Sequence, residues 1–80
     1  MQLQDAVTEI AEIIEELFQI EAGEITAETH FEKNLDLEDD ELEELRIEIE
    51  DAFGVEIPDN IAENLTTVGA LGEWLIKHAE

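Results

Sequence analysis

Asn34 to Phe53 reads NLDLEDDELEELRIEIEDAF, and the fold turns on that stretch. Leu42, Leu45, Ile49, Ala52 and Phe53 recur at spacings of three, four, three and one, the period of a single helical face. At about 100° per residue these five fall within an arc of about 100°, which suits a helix sealing one side of a small core. The remaining surface is nearly all acid: Asp40, Glu41, Glu43, Glu44, Glu48, Glu50 and Asp51, with Arg46 the only base. Ile47 breaks that pattern. It lies about 170° from the centre of the buried stripe and points outward among carboxylates. Single outward apolar residues are common on protein surfaces. Set among acids in mid-helix, Ile47 also has the form of an apolar anchor in a charged docking face.

Upstream, Leu3, Ala6, Val7, Ile10, Ile13, Ile14, Leu17 and Phe18 form a second amphipathic pattern, with Glu9, Glu12, Glu15 and Glu16 on the wet side. This predicts a first helix over residues 3–18. From Gln19 to Asp36 the periodicity lapses: Gly23 is a stop signal, and Thr26, Thr29, His30 and Asn34 separate Ile20, Ile25, Phe31 and Leu35. A connection of about 15 residues is long for a compact domain, so the spaced apolar residues predict a loop pinned across the core. His30 has no second histidine or cysteine nearby and reads as a loop-surface residue rather than a metal ligand or a switch.

The main helix is predicted from Glu38 to Phe53, stopped by Gly54, with acids in the first turn where the helix dipole favours them. Pro58 and Asp59 open a short helical turn reaching Glu63. Thr66 or Thr67 then caps a final helix whose buried side is Val68, Leu71, Trp74 and Leu75. Gly69 and Gly72 each weaken that helix by about 1 kcal/mol relative to alanine, so it must lean on tertiary packing. No strand pattern appears. The expected architecture is all-α: one domain over residues 1–80, with three main helices, a short helix before the last, and a long first loop.

Eighty residues lie near the lower size at which a single core suffices. Twenty-four acids against three bases give a net charge of −21, yet 44% hydrophobic residues at helical spacing argue against a disordered acidic chain. Such a surface repels nucleic acid and anionic membranes, so the expected partner is a basic protein or a cation. The absence of cysteine excludes disulfides and thiolate metal sites. No apolar run approaches the roughly 18 residues of a membrane span, and the N-terminus lacks a basic-then-apolar leader, so a soluble cytoplasmic protein is expected.

The run FEKNLDLEDDELEELRIEIEDAFGVEIPDNIAENLTTVGALGEWL, residues 31–75, resembles an acyl carrier protein. The resemblance covers nearly the whole chain. It rests on Phe31 followed by Leu35, the acidic helix ending Phe53-Gly54-Val55-Glu56-Ile57-Pro58-Asp59, and the Thr66-Thr67-Val68 start of the last helix. It implies a four-helix carrier fold in which a serine, usually within Asp-Ser-Leu, opens the second helix. In the family that hydroxyl receives 4′-phosphopantetheine, and the arm holds acyl groups as thioesters. The ungapped alignment sets Glu38, Asp39 and Asp40 on those three positions, so Asp39 stands where the resemblance expects serine. A carboxylate offers no hydroxyl for the phosphodiester, and this chain contains no serine at all. The family's cofactor is therefore not expected here. Asp40 in place of the leucine speaks for natural divergence over a substitution engineered to block loading.

The resemblance also implies docking roles. Glu38, Glu41, Glu44, Glu50 and Asp51 fall where family members present acids to Lys/Arg patches, and Ile47 falls on the apolar contact. Glu48 departs from the small residue usual at its position. The expected function is thus a non-enzymatic carrier-like protein that binds basic patches of fatty-acid or polyketide enzymes without holding a thioester. Two alternatives stay open. One is an acyl carrier protein of lipid or polyketide synthesis in a non-loadable Ser-to-Asp form. The other is an acidic protein binding divalent cations. Asp36 to Glu41 cluster tightly, but as an EF-hand the stretch fails, with Glu41 where glycine belongs and Ile47 where the last glutamate belongs. Weak surface binding of Ca²⁺ or Mg²⁺ is what remains of that idea, with no metal site assigned. An enzyme is not expected, because Ser, Cys and Tyr are absent, Glu44 and Glu48 sit on a solvated helix, and neither His30 nor His78 has a carboxylate partner at a meaningful spacing.

Overall fold

The structure is a computed structural model describing residues 2–78. Its elements are α1 (Leu3–Phe18), a 3₁₀ turn (Ala22–Glu24), α2 (Asp39–Phe53), α3 (Asp59–Ala62) and α4 (Val68–His78). Among the described residues there is no strand, only an isolated antiparallel bridge between His30 and Thr67. The all-α carrier-type bundle expected from the sequence is the fold.

The amphipathic stripe of α1 buries Ala6, Val7, Ile10, Ala11 and Ile14. The Asp5 carboxylate accepts the Gln2 N–H at 3.1 Å, satisfying one orphan donor of the first turn. At the other end Gln19 turns left-handed, with φ 61°, and returns its N–H to the Glu15 carbonyl at 2.8 Å. From this position α1 packs along both α4 and α2. The contact with α4 is close because Gly72 is buried there: a Cβ on it would stand 3.1 Å from Leu3 Cδ1 and 3.4 Å from Ala6 Cβ.

Thr67, rather than Thr66, caps α4: its Oγ1 accepts the Ala70 N–H at 3.1 Å. The same end of α4 holds the long loop. The Gly69 N–H donates to the Ala27 carbonyl at 2.7 Å, the Val68 N–H to that of Thr29 at 3.0 Å, and the Phe31 N–H to that of Thr66 at 3.0 Å. Ile25, Phe31 and Leu37 are buried beneath these ties, so the loop is pinned as expected. His30 does more than occupy a surface. It is half-buried, and its Nδ1 accepts the N–H groups of both Glu32 and Lys33 at 3.1 Å, shaping the turn that leads to α2.

One contiguous core results, with Ile10, Ile14, Ile49, Val68 and Leu75 its largest fully buried side chains. The α2 stripe is narrower than its periodicity implies. Leu45 and Ile49 are buried, Leu42 and Phe53 half-buried, and Ala52 exposed. Ala52 lies on the right face but in the last turn, where a single methyl does not reach what the longer Phe53 reaches.

Candidate functional site

Asp36, at φ 58°, turns the chain sharply before α2, with its N–H on the Glu32 carbonyl at 3.0 Å. The next residue, Leu37, is buried and donates its N–H to the Phe31 carbonyl at 3.2 Å. These contacts fix where α2 begins. Glu38 is its cap, and the Glu41 carboxylate reaches back to accept the Glu38 N–H at 2.9 Å. Asp39 is the first helical residue and is exposed. A carboxylate is well placed there against the helix dipole, but it carries no hydroxyl.

Asp39 also lines a pocket of about 590 Å³ between α2 and α3. Phe31, Leu42, Leu45, Ile49 and Leu71 supply its apolar wall.

Farther along α2, Ile47 is 54% exposed, the one large hydrophobic residue left exposed among the described residues. Its outward direction, expected from helical geometry, holds. Glu44 and Asp51 lie one turn to either side on the same face and are exposed, as is Glu43. Glu38 is exposed at the head of the helix. Glu41 and Glu50 are half-buried and engaged within the chain. Glu41 caps α2, and Glu50 accepts the Ile57 N–H at 2.8 Å while facing Arg46 Nε at 3.6 Å.

Arg46 received no role from the sequence beyond being the lone base of α2. Its Nη1 pairs with Asp59 Oδ1 at 2.7 Å, and its other terminal nitrogen donates to the Ile57 carbonyl. The Asp59 hydrogen bond, with further attraction from Asp59 and Glu50, holds the guanidinium more firmly protonated than a free arginine, outweighing desolvation. The spacing of Arg46 and Glu50 was a legible signal for one of these contacts. Asp59 and Ile57 meet Arg46 only through the fold.

Among the described residues, no cluster of three or more His, Cys, Asp or Glu side chains is arranged to hold a metal ion, and no helix is long and apolar enough to cross a membrane.

A small helical bundle with an acidic second helix and a pocket beside it is the form of a carrier domain. Residues 8–75 match the family described as phosphopantetheine attachment site. The chain belongs to that family, the acyl carrier proteins. It is 39% identical over 75 residues to the acyl carrier protein of Lactobacillus johnsonii, covering 94% of each chain. It is 38% identical over 77 residues to the meromycolate extension acyl carrier protein of Mycolicibacterium aurum, covering 96% of this chain and 79% of that one. The solved structure of acyl carrier protein from Enterococcus faecalis superposes with a TM-score of 0.78 at 32% identity, covering 96% of this chain and 98% of the other. These are carriers rather than enzymes, in line with the non-enzymatic expectation.

Proposed function

We propose that this chain is a single-domain, cytoplasmic docking member of its family that does not bear the prosthetic arm. Asp39 takes the position of the attachment serine, and the donor chemistry there does not fit the group: a carboxylate has no hydroxyl to esterify, and serine is absent from the whole chain. What α2 offers instead is recognition. Exposed Ile47, flanked by Glu44 and Asp51 and headed by Glu38, supports binding to basic patches of enzymes that build acyl or polyketide chains. Glu41 and Glu50 shape the helix and add to its negative field. Ca²⁺ and Mg²⁺ act at this surface only as loosely held counter-ions.

The exposure of Ile47 at the centre of the acidic face is the observation that supports this reading. Its test has two arms. In the first, wild type and an Asp39→Ser/Asp40→Leu variant are incubated with a promiscuous phosphopantetheinyl transferase and coenzyme A, and intact masses are compared. Wild type should keep its mass while the variant gains one arm; a gain by wild type would refute the proposal. In the second arm, Ile47→Asp should lose about tenfold or more in affinity for a ketosynthase or acyltransferase that retains wild type. Equal retention of both forms would remove the docking face.

A further inference from the structure

The pocket beside α2 is walled on one side by Asp39, Leu42 and Arg46, and on the other by Asp59, Ala62 and Leu65, from α3 and the turn after it. α3 is only four residues long and buries none of its residues fully. Ile61 and Ala62 rest against the core only half-buried. Beyond that apolar packing, the polar tie between this wall and α2 runs through Arg46.

Its guanidinium holds Asp59, the first residue of α3, and the carbonyl of Ile57 two positions earlier. Glu50, one turn along α2, takes the N–H of that same Ile57 and lies against Arg46 Nε. Both polar backbone groups of Ile57 and the leading side chain of α3 are thus gripped from one turn of α2. A guanidinium suits the task because its fixed fork of donors serves several acceptors at once. The charges lining the pocket otherwise include Glu32, Asp39, Glu43, Asp59 and Glu63, all carboxylates. Without Arg46 the two walls bear like charge and repel.

We infer that Arg46 is the clasp that holds α3 against α2 and thereby sets how far the pocket opens to an apolar ligand. This role is independent of whether the chain docks on acyl-chain enzymes.

The test uses the full chain and an Arg46→Met variant, which keeps an unbranched stem of similar packing and loses every donor. Amide hydrogen exchange is followed at Ile61, Ala62 and Glu63, and binding of the uncharged fluorophore N-phenyl-1-naphthylamine is titrated. Exchange in α3 should quicken about fivefold or more while amides of Ile10 and Leu75 change far less, and the fluorophore should bind more tightly. In the variant, added salt should slow α3 exchange, because only repulsion is left to screen. Unchanged α3 exchange and fluorophore affinity would overturn the inference. So would an equal acceleration at every amide, which is general destabilisation. Should Arg46→Met not fold, Asp59→Asn decides: it spares the bond to Ile57 and should give a rise of about twofold confined to α3, and no rise defeats the inference. Glu63→Gln, which removes a pocket charge outside the clasp, should not speed α3 exchange.

Discussion

Asp36 adopts a left-handed backbone that costs an ordinary L-residue about 1 kcal/mol and that glycine adopts freely. Asp36→Gly should therefore stabilise the fold by about 0.5–1 kcal/mol, helped by the loss of one negative charge, and raise the melting temperature by several degrees in a thermal melt. Ile47→Asp belongs at the same scale with the opposite emphasis. It removes an exposed side chain, so the melt should move by less than about 0.5 kcal/mol in equivalent stability while partner binding falls. The two residues differ in how visible they were beforehand. The direction of Ile47 needs only the existence of α2 and the helical period. The strain at Asp36 depends on the handed turn between a buried Phe31 and a buried Leu37, which nothing in Asn34-Leu35-Asp36 announces.

Among the elements, the glycines of α4 are not interchangeable. A Cβ at Gly69 would stand 2.7 Å from the Ala27 carbonyl oxygen, a backbone atom that is itself bonded to the Gly69 N–H. Gly69→Ala should cost about 1–3 kcal/mol despite the better helix propensity of alanine. At Gly72 the nearest atom is the far end of the half-buried Leu3 side chain, 3.1 Å away, rather than backbone, so Gly72→Ala should cost less than half as much; urea unfolding of both variants checks the order. From sequence these residues appeared only as weak points of a helix, because their use lies in what approaches them. The spans of α1 and α2 were legible, since the amphipathic period marks both and Gly54 stops α2. Backbone pairing of the loop with α4 was not, since hydrogen bonds between main-chain atoms leave no mark on side-chain identity. The Arg46 clasp stayed hidden for a different reason: Ile57 and Asp59 come within reach of its guanidinium only through the fold, whereas Glu50, four residues on, is within reach by helical spacing alone.

At the scale of the whole molecule, −21 charges surround one small core. Mutual repulsion acts on the folded form more than on the expanded chain, so raising NaCl from about 0.01 M to 0.15 M, where the Debye length falls from about 30 Å to 8 Å, should lift the melting temperature by several degrees. Millimolar Mg²⁺ should do at least as much, and a melt insensitive to both would show the charges to be well dispersed. How much of the candidate site was legible depends on the kind of evidence involved. The place of Asp39 came from resemblance to a family and the outward isoleucine from geometry. The 590 Å³ pocket came from neither, because its walls lie far apart in the chain.

The three main-chain bonds accepted by the carbonyls of Ala27, Thr29 and Thr66 also mark where this protein can and cannot be rebuilt. A peptide tag or fused domain inserted between Thr26 and Phe31 would pry off the start of the last helix. The same graft at Gly23, where an added Cβ would meet nothing within 4 Å, has open space to leave the bundle.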